Sequence, residues 1–188
     1  MQVTKAVRNG LASLVLVGVA CGSDSTGPTI STLQNDNFTS GSPTFVAAFD
    51  SGEAAAVRLG PQSGAFTIRK VIFLFGGAVT GETVTLTIYN DANTSNPGSV
   101  LYSNAYVLTP SDAAFQEIDL TAQNIHVGAG QMVRVALAFN HIGLPNVAKD
   151  GAITNTRNWM FLNPGGWTAA ETVGIDGDFI IRLEISTP

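Results

Sequence analysis

The chain has 188 residues, 45% of them hydrophobic and 12% charged, with a net charge of −5 and a single cysteine. That length suits one domain able to bury roughly 70% of the surface its unfolded form would expose, and one cysteine excludes an internal disulfide. The acidic balance argues against nucleic acid as a partner, which calls for a clustered basic patch, and against charge-driven docking to anionic lipid.

Residues 1–20 read as an export signal. Lys5 and Arg8 form a positive start, Leu11 to Ala20 an apolar run, and Gly18-Val19-Ala20 a small-x-small cleavage pattern. The run is about ten residues, short of the roughly 20 that span a bilayer. Lys5 and Arg8 are the leader's only ionised side chains. From Cys21 on, seven cations therefore face 14 acids, a net charge of −7.

Val19-Ala20-Cys21 behind such a leader resembles the lipobox of bacterial lipoproteins, with Gly18 where Leu, Val or Ile is usual. The resemblance implies lipidation of Cys21 as the mature N-terminus and anchorage in a membrane. Gly22 after the cysteine, where Asp would mark retention, implies the outer membrane or cell surface. Read from the residues alone, an ordinary secreted protein cut at the same bond is the alternative.

Residues 21–35 (CGSDSTGPTISTLQN) are rich in Gly, Ser and Thr and read as a flexible tether. A folded domain is expected over 36–188. Within it the hydrophobic period is two. Val84, Leu86 and Ile88 alternate with Thr83, Thr85, Thr87 and Tyr89. Val133, Val135, Leu137 and Phe139 alternate with Met132, Arg134, Ala136 and Ala138, and Ile181, Leu183 and Ile185 with Arg182 and Glu184. Such alternation marks half-buried antiparallel strands. The phase slips between Ile68 and Val71, which predicts a β-bulge at Arg69-Lys70. Further strands are expected over 44–49, 53–60, 99–107, 114–120, 124–127 and 157–162, separated by Gly-, Pro- and Asn-rich turns. The fold class is all-β, a two-sheet antiparallel sandwich. The order VIFLF, TVTLTIYND, SVLYSN, FQEIDL, NIHVGAGQMVRVAL, GGW, DFIIRLEI over residues 44–186 resembles jelly-roll modules of secreted and cell-surface bacterial proteins. That resemblance implies an accessory or surface role and leaves the ligand open.

Candidate site residues are few. GxSxG, HExxH and SxxK are absent, so catalysis has no motif to rest on and the protein reads as a non-enzyme. Structural calcium is the one cofactor candidate, held by Asp150 with Asp176 or Asp178. The loop from Asp91 to Gly98 has alternating oxygen side chains, but it lacks the glycine and bidentate glutamate of an EF-hand and reads as a hairpin turn. His126 is expected to face solvent. His141 opens a long loop to Asn155, a place where binding residues often sit.

Sugar binding needs flat aromatics beside polar groups, because a pyranose stacks its apolar face on a ring while its hydroxyls need hydrogen bonds. Trp167, Trp159, Tyr102 and Tyr106 are the aromatic candidates, with Asn158, Arg157 and Asn140 as polar companions. Trp167, just after an Asn-Pro-Gly-Gly turn, is the one expected at the surface. Core packing that closes the sandwich is the competing reading for both tryptophans. The face of Thr83, Thr85, Thr87 and Tyr89 is a flat contact surface for glycan or protein. The expectation is a non-catalytic surface lipoprotein that binds carbohydrate. A structural or adhesive subunit using sheet faces or edges is the alternative, and a small hydrolase the weaker one.

Overall fold

Alternation in the sequence becomes two packed sheets in the computed structural model, which describes residues 27–45, 49–77, 81–92, 95–109, 111–154 and 156–188. In chain order the strands begin with β1 (Thr29–Leu33), β2 (Thr44–Phe45), β3 (Ala54–Leu59), β4 (Phe66–Phe73) and β5 (Phe75–Gly76). They continue with β6 (Glu82–Asp91), β7 (Val100–Leu108), β8 (Gln116–Asp119), β9 (Ile125–Val127) and β10 (Met132–Phe139). The last four are β11 (Asn146–Lys149), β12 (Asn158–Leu162), β13 (Gly166–Ala169) and β14 (Ile181–Thr187). Two short 3₁₀ turns lie at Thr121–Gln123 and Ala170–Val173. Among the described residues no helix is long and apolar enough to cross a membrane.

One sheet has the order β1-β14-β4-β8, with β9 also on β4. The other runs β13-β12-β3-β10-β6-β7, and β2-β11-β5 form a third, smaller sheet. All pairings are antiparallel. The orders β1-β14-β4-β8 and β3-β10-β6-β7, threaded by one chain that crosses repeatedly between them, are those of an eight-stranded jelly roll. The β12–β13 hairpin is an addition alongside β3. The small sheet is stitched on by backbone bonds of Ala148 with Leu74 and Ile180.

The core lies between the sheets. Val84, Leu86 and Ile88 of β6 and Val133, Val135, Leu137 and Phe139 of β10 point into it from one side, and Val71, Phe73, Ile181, Leu183 and Ile185 from the other. Each such side chain, fully buried, contributes about 1.5–3 kcal/mol. The predicted bulge is present: Glu184 pairs with Lys70 and the next residue, Ile185, with Ile68, leaving Arg69 as the extra residue.

Two expectations need correction. The tether assigned to 21–35 ends sooner, because Thr29 to Leu33 pair with Thr187 to Leu183. Their Thr/Ser composition hides this, since only Leu33 is buried. What makes them a strand is the open side of β14, an edge that is covered when they add to it. Asp36, buried, then takes both Nε and Nη2 of Arg182, whose guanidinium lies 4.7 Å over the Phe115 ring. Residues 21–26, Cys21 included, lie outside the described residues, as do 46–48 of the strand expected over 44–49. The long loop from His141 is also not wholly loop, since β11 forms within it.

Candidate ligand-binding trough

Strand β3 is buried along its whole length, on both faces. Ala55, Val57 and Leu59 face the core. Ala54, Ala56 and Arg58 point to the outer side of the six-stranded sheet, so other side chains must cover them. The register shows which. Trp159 sits beside Ala56, Ala56 beside Ala136, and Ala136 beside Thr87; one step along, Trp167, Phe161, Ala54, Ala138 and Thr85 form a second row. Four alanines of the central strands thus make a floor between an aromatic wall on β12–β13 and a hydroxyl wall on β6.

The aromatic wall leans over that floor. Trp167 meets Phe161 edge-on at 5.5 Å between centroids and Tyr89 at 6.0 Å. Trp167 and Tyr89 belong to strands four spacings apart, about 19 Å in a flat sheet. Their rings can meet only because the sheet curls and the residues between them are small. Trp159, 8% exposed, packs on Ala56 and Ala136, and its indole N–H donates to the Thr156 carbonyl. The trough left open runs from Tyr89 to Gly52, with a volume of about 210 Å³. Thr87 faces it, its Oγ1 3.0 Å from Ser103 Oγ on β7.

Beneath the tryptophans lies a buried ionic group. Asp91 Oδ2 accepts from Arg58 Nε at 2.8 Å and from Arg134 Nε at 3.0 Å. Arg134 is fully buried and lies 4.4 Å from the Trp159 ring and 5.2 Å from the Trp167 ring. Its Nη1 donates to the Ser95 carbonyl. Burial lowers the Arg134 pKa, opposed by the hydrogen bond and charge of Asp91. The guanidinium is thus a flat support pressed against both indoles, a cation–π arrangement that orients them. The loop after Asp91, with its calcium-like spacing, closes as a hairpin in which Gly98 N–H donates to the Asn90 carbonyl.

The other expected site residues go elsewhere. Tyr102 projects to the inner side of edge strand β7, opposite Ile88. Its hydroxyl is 2.6 Å from that of Tyr106, and burial together with that bond pushes the Tyr106 phenol up to about 12. His141 Nε2 donates to the Pro145 carbonyl at 2.7 Å, with Nδ1 3.3 Å from Glu82 and the ring edge-on to Phe139. It braces its own loop. Arg157 donates to the Gly60 carbonyl, and His126, facing solvent as expected, bonds Thr67.

Asn158, Asp150 and Asp178 do meet, as a buried brace. Asp178 Oδ1 accepts from Thr154 N–H at 2.8 Å and from Asn158 Nδ2, and Oδ2 from the Thr154 hydroxyl at 2.7 Å. Asp150 Oδ1 accepts from the N–H groups of Asp178 and Ala152, and Oδ2 from that of Asn37. Asn158 Oδ1 takes the Phe179 N–H. All four carboxylate oxygens face protons, so a calcium ion here would have to displace amide donors. Asp176 is apart from them, 90% exposed and paired with Lys149, whose ammonium holds its carboxyl below the usual range. Among the described residues no group of three or more His, Cys, Asp or Glu could hold a metal ion. Asp150 and Asp178 are thus a structural brace, and Asp176, expected beside them, is not brought to it.

Gly177 belongs to the same brace. Its φ is +93°, and a Cβ there would stand 2.0 Å from the Asp150 carbonyl oxygen. Gly177→Ala should therefore destabilise the domain by about 1–3 kcal/mol or more. A urea midpoint unchanged from wild type would show that the brace tolerates displacement.

The trough residues that sequence reasoning missed are Ala54, Ala56, Ala136, Ala138, Phe161 and Arg134. A signal was there: the outward parity of β3 and β10 carries alanines, where a solvated face would carry polar residues. Compared with protein-family models and with curated proteins, the chain matches none.

Proposed function

We propose that the protein is a non-catalytic carbohydrate-binding module, held at a bacterial cell surface by lipid on Cys21. The observation that carries the first part is the trough: half-buried Trp167 and Phe161 opposite Thr87 and Tyr89, over a floor of alanines. Aromatic faces and hydroxyls converging on one small concavity are what a sugar ring requires. The site has the geometry of a binding surface. His141, Asp150 and Asp178, the groups with acid–base chemistry singled out in the sequence, are bonded into loops away from it.

The second part rests on the leader and on where the domain begins. Thr29 pairs with Thr187, at the end of the sandwich opposite Gly52 of the trough. Seven residues separate Cys21 from Thr29, eight steps with a reach of at most about 29 Å. A lipid at Cys21 would thus place the Gly52 end of the trough away from the membrane.

The test uses a protein beginning at Gly22, which retains every described residue, applied to insoluble polysaccharides and isolated cell-envelope fractions. Retention on at least one glycan surface is the expected result; failure across all of them would sink the reading. For the anchor, Cys21→Ala in the full chain should move the protein from the membrane fraction to the soluble one. A variant that still sediments with membranes would refute lipidation at this position.

A further inference from the structure

The chemistry of the trough restricts its ligand further. Its lining is uncharged: alanines and Gly52 below, Trp167 and Phe161 on one side, Thr87 and Tyr89 on the other. The nearby cation, Arg134, has no exposed surface and is bonded to Asp91 and the Ser95 carbonyl beneath the indoles. A ligand carboxylate or sulfate entering here would lose its hydration without gaining a partner, a strongly unfavourable exchange. The long-range field agrees, since the chain from Cys21 on carries −7 and repels polyanions. Size is the second restriction. At about 210 Å³ the cavity is smaller than the roughly 300–1,000 Å³ of sites that enclose a whole drug-sized molecule. It has room for one ring, with any neighbouring residues of a chain outside.

Resting on the carbohydrate reading above, we infer that the trough takes a single uncharged pyranose unit of a neutral glycan. The ring's apolar face lies against Trp167, and its hydroxyls bond toward Thr87 and Ser103. Depth is set by the alanine floor. Ala138 is half-buried in the lining of the trough, where a larger side chain would occupy the ring's place.

Retention of the Gly22-start protein on neutral polysaccharides (β-glucan, xylan, mannan) and on acidic ones (alginate, polygalacturonate) tests this at low and high NaCl. Expected is retention on a neutral polymer that changes less than about twofold between about 0.05 and 0.5 M salt. Ala138→Leu should reduce it about tenfold or more. Thr87→Val, nearly isosteric, should weaken it severalfold, with thermal melting of both variants showing that the domain remains folded. Retention on acidic polymers alone, falling steeply with salt, would overturn the uncharged-ligand inference and leave the carbohydrate reading standing. Retention on neither class would overturn both. Neutral-glycan retention indifferent to Ala138→Leu in a folded protein would place the site outside the trough.

Discussion

Asp91→Ala should destabilise the domain by about 3–5 kcal/mol at neutral pH, measured by urea or guanidinium unfolding. Two guanidiniums, those of Arg58 and Arg134, share one oxygen of this carboxylate. The side chains of Asp91 and Arg134 have no exposed surface, and that of Arg58 is 6% exposed. Without the carboxylate, two buried cations face each other across strands β3 and β10, which pair at Arg58 and Arg134. Arg134→Met should cost less, since it leaves Asp91 paired with Arg58 and keeps an apolar side chain under the indoles. The ordering of the two variants is the diagnostic. An Asp91→Ala protein within about 1 kcal/mol of wild type would mean that the buried charges are balanced by other groups and that the cluster does not organise this face.

The two tryptophans should separate by what they lose. Trp159 is nearly buried on Ala56 and Ala136, and Trp159→Ala removes a large side chain from a closed packing site. A loss of about 3–5 kcal/mol is expected, lowering Tm on the order of 10 °C. Trp167 is half-buried and lines the trough. Trp167→Ala should lower stability less, and should reduce glycan retention about tenfold to a hundredfold through the lost stacking surface. Calorimetric melting and polysaccharide retention on the same preparations read both effects. If Trp167→Ala binds as wild type does, the trough is a packing feature of the hairpin rather than a site.

Legibility in the sequence followed the range of the forces. β6, β10 and β14 were readable because each buries one face, and a half-buried strand writes its orientation in alternate residues. The bulge at Arg69 was readable for the same reason, as a break in that alternation. β1 was not, because its residues are mostly exposed and its strand conformation comes from the partner β14. β11 was hidden by brevity, four residues inside a long connection. Tyr102 and Trp167 were equal candidates by residue type. The pleat separates them, turning Tyr102 inward at β7 and Trp167 outward at β13.

By itself, the sequence determined an acidic, all-β domain with no internal disulfide. Those properties depend on composition, charge and period, which are local and additive. The trough needs more than composition and period. It exists because β12 and β3 lie side by side although nearly a hundred residues separate them, so that a tryptophan reaches over alanines that another segment supplies. Likewise Asp150, Asp178 and Asn158 have the residue types of a metal site or a sugar contact. Tertiary structure decided that they are a brace, by bringing an amide or hydroxyl proton to every carboxylate oxygen. Which groups meet is set by long-range strand pairing, and the donors and acceptors that meet then determine the chemistry available to each side chain.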